Sequence, residues 1–243
     1  MISIYGIIIS ISIATALFIA EHFAKKDSRN VEYLWESALY TIIFGVIGAR
    51  IYHVIDFSSY YLHAPLQILA LWNGGMAYYG ALIGGLLGLT YFIKRRKLDL
   101  VYWLDIAALV TPLAQAIGRI GNYFNHEVYG LPTTLPWGIT IPKEKLPEQF
   151  SENTKFHPLF AYEAVLNLIL FLILITIKKR TKIHKGIILK TYLFGYALIR
   201  FSLEFLRIDS WTILGINVAQ TVSVVIVLSA LFLLRPTKLW HNR

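Results

Sequence analysis

Residues 158 to 177 read PLFAYEAVLNLILFLILITI. At 1.5 Å per residue, a helix of about 20 residues crosses the roughly 30 Å hydrocarbon core of a bilayer. This stretch has that length and holds one charged residue, Glu163, so it predicts a membrane-spanning helix with a carboxylate inside it. Working outward, similar apolar runs lie at roughly 2–20, 36–55, 74–93, 101–120, 187–207 and 213–234. The expected fold is therefore an all-α integral membrane protein with seven transmembrane helices, a single polytopic domain over residues 1–243. Composition agrees. Of 243 residues 56% are hydrophobic and 15% charged, against roughly 25% charged in an average globular domain, and the mean hydropathy is +0.58. These values exclude an ordinary soluble domain and a disordered chain. The chain has no cysteine, which excludes disulfide scaffolds, thiolate metal sites and a cysteine nucleophile supplied by the protein.

A net charge of +9 points to nucleic acid in a soluble protein, but in a membrane protein it reports orientation. If successive loops alternate sides, one side receives Lys25, Lys26 and Arg29, then Lys94 to Lys97, then Lys178, Lys179, Arg180, Lys182 and Lys185, then Arg235, Lys238 and Arg243. These are most of the 23 basic residues. The opposite side holds Lys143, Lys145 and Lys155, interleaved with Glu144, Glu148 and Glu152. The positive-inside rule then sets the N-terminus outside and the C-terminus in the cytoplasm. The first run has no basic residue before it and a basic cluster after it, which fits an anchor inserted with its N-terminus outside better than a cleaved signal peptide. The long connection at about 122–157, with Pro132, Pro136, Pro142 and Pro147, becomes an extracytoplasmic loop, and loops of this length are usually functional.

A charge near the middle of a spanning helix costs on the order of 2.5–3.5 kcal/mol on insertion scales, so those present have a partner or a task. They are Arg50, Asp105, Arg119, Glu163, Arg200, Glu204 and Arg207. The predicted helix directions bring all except Asp105 to the outer half of the membrane. Arg200, Glu204 and Arg207 stand at i, i+4 and i+7, which predicts one helical face on which Glu204 holds an arginine. Two readings stay open on these residues alone. One is an ion-pair network that locks helices together or snorkels to the interface, and it is favoured for Arg50. The other is an anion site, because guanidinium offers planar paired donors that match phosphate oxygens.

Residues 118–133, GRIGNYFNHEVYGLPT, follow at the outer end of the fourth run. Gly118 and Gly121 permit close backbone approach, Arg119 and Asn122 share a helical face, and Asn125, Glu127 and Gly130 come where the helix is expected to break. This stretch resembles the signature of the prolipoprotein diacylglyceryl transferases, bacterial membrane enzymes. The resemblance extends over nearly the whole chain: Ile4, Tyr5 and Gly6; Gly48, Ala49 and Arg50; WNGGMAYYG at 72–80; His157 and Pro158 with Tyr162 and Glu163; and Arg200, Glu204 and Arg207. Where many relatives carry His before the last glycine of the third element, this chain has Tyr79.

The resemblance implies transfer of the diacylglyceryl group of phosphatidylglycerol to the cysteine thiol of a lipobox in a prolipoprotein signal peptide, at the outer leaflet of the bacterial plasma membrane. It assigns Arg119 and Arg200 to the phosphate with Arg207 and Glu204 in support, and Asn122, Asn125, Glu127 and Gly130 to the substrate pocket. Tyr5, Tyr79, His157, Glu127 and Glu163 are candidates for proton transfer or orientation, with no single base selected. No cofactor, metal or nucleic-acid partner is implied; the partners are membrane lipids and the prolipoprotein. Without it, His157 reads as a cap before Pro158, Tyr5 and Tyr79 as interfacial aromatics, and Trp137, Trp211 and Trp240 as belt or loop residues. Gly80, Gly84 and Gly88 read as a helix-packing seam. The alternatives are a lipid transporter or flippase, and another phospholipid-modifying membrane enzyme.

Overall fold

The computed structural model of the chain describes residues 4–150, 154–180, 184–208 and 210–234. Lys182, Arg235, Lys238, Arg243, Glu152 and Trp240 lie outside the described residues. The helices are α1 (Ile4–Lys26), α2 (Val31–Asp56), the short α3 (Ser58–His63), α4 (Tyr78–Arg95), α5 (Leu100–Asn125), α6 (Leu159–Lys178), α7 (Ile187–Glu204) and α8 (Val218–Leu234). The short 3-10 turns Pro65–Leu69 and Leu71–Asn73 join α3 to α4. Two small antiparallel hairpins complete the described chain: β1 (Ile139–Thr140) with β2 (Lys155–Phe156), and β3 (Thr212–Ile213) with β4 (Ile216–Asn217).

Each of the seven expected runs falls on a long helix. By length and composition α1, α2, α5 and α6 can each cross a membrane. In α4 the glycines and the terminal Lys94 and Arg95 dilute the apolar content, α7 carries Lys190, Arg200 and Glu204, and α8 has 17 residues. Large apolar side chains stand exposed along the helices, among them Phe18, Ile55, Leu87, Leu172 and Leu228, as lipid-facing helices require. Several boundaries differ from the expectation: α1 continues to Lys26, α2 begins at Val31 and α7 ends at Glu204. Residues 74–77 are loop, so α4 begins at Tyr78, and residues 213–217 belong to a hairpin. Helix α5 continues to Asn125, so the long connection begins after it.

Caps explain several of these limits. Asn30 opens α2 by accepting from Glu32 N at 2.9 Å, and Asp99 opens α5 by accepting from the N–H groups of Val101 and Tyr102. For α7 the cap comes from far away in sequence. Asp105, buried in α5, accepts from Gly186 N at 2.7 Å and from Leu189 N at 2.8 Å. Its carboxylate satisfies orphan donors at the helix start and complements the positive end of the helix dipole.

The chain forms two compact units: Glu21–Trp103, and the described residues up to Ala20 together with those from Leu104 onward. In the first unit α2 packs on α4 along a glycine seam. A Cβ on Gly80 or Gly84 would collide with the carbonyl oxygens of Gly48 or Phe44, and one on Gly88 would meet Tyr40 O at 2.5 Å. Backbones this close gain dispersion contacts that larger side chains would prevent. In the same unit Arg50, 6% exposed, donates to the carbonyls of Gln67, Ile68, Ala70, Gly74 and Gly75 and lies under the Tyr61 ring. Its guanidinium closes the 64–75 loop onto α2.

The second unit packs α6 on α7 and α7 on α8, with Leu174 and Ile188 fully enclosed and Leu170 against Gly195. Phe156, also fully enclosed, anchors the 126–158 connection between the rings of Tyr129 and Phe150.

Candidate active site

All the site residues expected from the sequence except Tyr79 belong to the second unit. Helix α5 sets the first group. Arg119 and Asn122 share its last turns, and Arg119 Nη1 donates to Asn122 Oδ1 at 3.1 Å. Arg119 Nη2 makes a short ion pair with Glu163 Oε1 from the first turns of α6. The Glu163 side chain is 4% exposed and that of Arg119 is 26% exposed. A carboxylate this enclosed is stable only when paired, so Glu163 holds the guanidinium while part of the arginine stays open to a ligand. Asn122 in turn extends Nδ2 toward Glu127 Oε2, 3.4 Å away.

The glycines of the 118–133 stretch have distinct tasks. A Cβ on Gly121 would sit 2.7 Å from Tyr5 Cδ2, so the glycine is the seat of the Tyr5 ring and draws the start of α1 to the α5 terminus. After Asn125 the backbone turns sharply through His126 and Val128, both with positive φ (51° and 58°), a conformation that costs energy in residues with a Cβ. The Asn125 carbonyl accepts from Lys145 Nζ at 2.6 Å. Gly130 is then pinched between two segments. Its N–H donates to His157 O at 2.8 Å, it pairs as an isolated bridge with Arg207, and a Cβ there would meet Leu206 O at 2.5 Å. Leu131 N donates to Leu206 O at 2.8 Å. Gly130 thereby joins the end of α5, the start of α6 and the chain leaving α7.

That chain corrects the expected arginine face. Helix α7 ends at Glu204, and Arg207 lies beyond it in a turn closed by Arg207 N to Glu204 O at 3.2 Å. The i, i+4, i+7 spacing therefore does not align all three side chains on one helix. The physical reason is the bridge to Gly130, which pulls residues 206–207 out of helical register. Arg200 and Glu204 do form the expected i, i+4 pair at 2.7 Å, with side chains 24% and 1% exposed. Arg200, Glu204, Glu163 and Arg119 all lie within electrostatic reach of Arg207. Three guanidinium groups and two buried carboxylates thus form one cluster drawn from α5, α6 and the end of α7.

His157 faces Tyr162, its Nδ1 3.1 Å from the phenol oxygen, and that oxygen accepts from Trp137 Nε1 at 2.8 Å. An indole only donates. With its oxygen accepting from Trp137, Tyr162 has its O–H to donate, and donation to His157 Nδ1 leaves the imidazole proton on Nε2. Sequence reasoning left Trp137 as a belt or loop residue and named Tyr162 within a family element without giving it a role; a lone tryptophan carries no pattern that would reveal this contact. Tyr79 lies in the first turn of α4 in the other unit, half exposed, with its ring beside those of Tyr52 and Tyr78. Arg50, with its donors on carbonyls, is a structural cation. Among the described residues no group of His, Asp and Glu is arranged to hold a metal ion.

A charged cluster beside a glycine-rich helix end can bind and polarise an anionic ester, and the comparisons with known proteins give it a context. Residues 1–235 match the family model for prolipoprotein diacylglyceryl transferase. The chain is 38% identical to the phosphatidylglycerol–prolipoprotein diacylglyceryl transferase of Prochlorococcus marinus (strain MIT 9301), covering 98% of this chain and 91% of that protein. It is 37% identical to the protein of that name from Thermotoga maritima, over 92% and 77% of the two chains. A third, from Synechococcus elongatus, is 34% identical over 91% and 78%. With the match running from the Tyr5 element through the α5 terminus to the arginines of α7, the chain belongs to the prolipoprotein diacylglyceryl transferase family.

Proposed function

We propose that this chain transfers the diacylglyceryl group of phosphatidylglycerol to the lipobox cysteine of bacterial prolipoproteins. The cysteine sulfur attacks the glyceryl carbon, a C–S thioether bond forms, the C–O bond to phosphate breaks, and glycerol phosphate leaves with the electron pair. The thiol proton passes to a base. The observation that carries the reading is the two enclosed ion pairs Arg119–Glu163 and Arg200–Glu204, with Arg207 in the turn after α7 bridged to Gly130. Guanidinium groups bind the phosphodiester and stabilise the charge that grows on it as the bond breaks.

The other roles follow from the surroundings. Glu163 and Glu204 are enclosed and committed to arginines, which suits orientation better than proton uptake. His157, with its proton on Nε2, is suited to donate to substrate. Tyr5 and Glu127 stand at the α5 terminus, and Tyr79 remains a candidate from the other unit. Asn122, Asn125 and Gly130 shape the pocket. The membrane arrangement that fits is seven spans in the plasma membrane, N-terminus outside, C-terminus in the cytoplasm and the site toward the outer leaflet. It is supported by the basic residues at the ends of α1, α4 and α6 and the arginine cluster at the opposite ends of α6 and α7.

The test is incubation of the purified protein with phosphatidylglycerol and a lipobox peptide. A diacylglyceryl mass gain with matching release of glycerol phosphate is expected, absent from the Cys-to-Ser peptide. No mass gain with folded protein overturns the reading.

A further inference from the structure

Glu204 is the most enclosed carboxylate of the cluster. Its Oε2 lies 2.7 Å from Arg200 Nη2, yet no donor is aligned on that oxygen as a hydrogen bond. The directional contact is on the other oxygen. Asn217 Nδ2 donates to Glu204 Oε1 at 3.1 Å. Asn217 ends β4, the second strand of the hairpin that follows α7, and is held by several contacts. Its Oδ1 accepts from Gln220 N at 3.0 Å, its carbonyl accepts from Thr221 Oγ1 at 2.8 Å, and its backbone is registered against Thr212. With Oδ1 bound to a backbone N–H at the start of α8, the amide cannot flip: the flip would set two oxygens toward each other at Glu204 and leave the Gln220 N–H without an acceptor.

We propose that Asn217 is a positioning residue for diacylglyceryl transfer. Its amide fixes the Glu204 carboxylate, the carboxylate fixes the Arg200 guanidinium, and the α8 start thereby sets the geometry of phosphate binding across the hairpin. An ion pair without an aligned hydrogen bond leaves a long side chain free to swing, and a buried carboxylate that loses a donor seeks another. Removing the amide therefore loosens Arg200 without removing any charge. The inference rests on Arg200 as a phosphate ligand.

The experiment uses the full chain in micelles with phosphatidylglycerol and a lipobox peptide, measuring KM and kcat for each substrate beside the thermal unfolding temperature. Asn217→Ser keeps a good helix cap but loses the reach to Glu204. It is expected to lower kcat/KM for phosphatidylglycerol by about tenfold, the scale of one hydrogen bond to a charged group, with the peptide KM and unfolding temperature unchanged. Asn217→Asp keeps the cap and sets a second carboxylate beside Glu204, so a larger loss is expected. The double variant Asn217→Asp with Glu204→Gln restores a donor–acceptor pair in the reverse sense and is expected to recover activity relative to Asn217→Asp alone. Wild-type kcat/KM in Asn217→Ser overturns the proposal. So does a loss that follows unfolding temperature alone, with no recovery in the double variant. Arg200→Ala separates the two levels: near-normal transfer removes Arg200 as a phosphate ligand, whereas an inactive but folded Arg200→Ala beside a fully active Asn217→Ser overturns only the role of Asn217.

Discussion

Arg119 carries the heaviest load among single residues, because it binds Glu163 and Asn122 at once and stays partly open. Arg119→Ala leaves Glu163 buried without its cation and removes the donor proposed for the phosphate. Transfer is expected to fall at least about a hundredfold, the scale seen when one preorganised charge-stabilising donor is lost, while the protein still inserts. Near-normal turnover in the peptide assay would take Arg119 out of the site. Arg119→Lys keeps the charge without the paired donors, and its rate is expected between the two. Gly121 gives a second test. Its replacement by Val drives a side chain into the Tyr5 ring, and a shift of about 1 Å at a reacting group can cost on the order of a hundredfold. Measured beside Tyr5→Phe, which removes only the hydroxyl, this separates the position of the ring from its chemistry.

Much of this residue-level detail was legible beforehand. Charges in apolar runs are costly, and that picked out Arg119, Glu163, Arg200, Glu204 and Arg207 but equally Arg50 and Asp105, whose partners are backbone groups. Their partners were less visible, since Arg119 and Glu163 are 44 residues apart and only folding sets them together. Asn217 and Trp137 are ordinary residues in sequence, and Tyr162 stood out only as part of a family element; the roles of all three depend on hydrogen bonds that no spacing announces.

At the scale of elements, Asp105 is the clearest case of one helix building another. Asp105→Ala strips two backbone N–H groups of their acceptor at the start of α7, and a lost cap costs about 1–2 kcal/mol. A lower unfolding temperature in micelles is expected, with normal specific activity in the folded fraction at low temperature. An unchanged unfolding temperature would show the cap to be dispensable. The glycine seam predicts a different failure. Gly84→Leu forces α2 and α4 apart, and overpacking of about 1–3 kcal/mol or more is expected to show as sharply reduced yield of monodisperse protein. Hydropathy revealed both helices of that seam, but it misread the β3–β4 hairpin. Trp211, Ile213, Leu214 and Ile216 are all apolar and exposed, and strands of two residues each are too short for their alternation to stand out from the apolar run that continues into α8. The one local signal was Gly215 after Leu214, both at positive φ in the turn. The end of α7 was misread for a related reason, because a helical repeat in the sequence does not report the bridge to Gly130 that stops it.

For the whole molecule the decisive question is sidedness. The chain lacks cysteine, so single cysteines can be placed at will. A cysteine at Glu148, in the long connection, is expected to react with a membrane-impermeant maleimide in intact cells, and one at Lys97, after α4, only after permeabilisation. The reverse pattern would invert the proposed topology.

Arg50 bears on how the chain is made. Its five carbonyl partners lie 17 to 25 residues downstream. While α2 enters the membrane these acceptors are still inside the ribosome, and the guanidinium meets water or the interface at a cost of a few kcal/mol until they emerge. We expect α2 to settle fully only once the segment through Gly75 has followed it, which makes α2 and its following loop a single late-committing unit of membrane insertion.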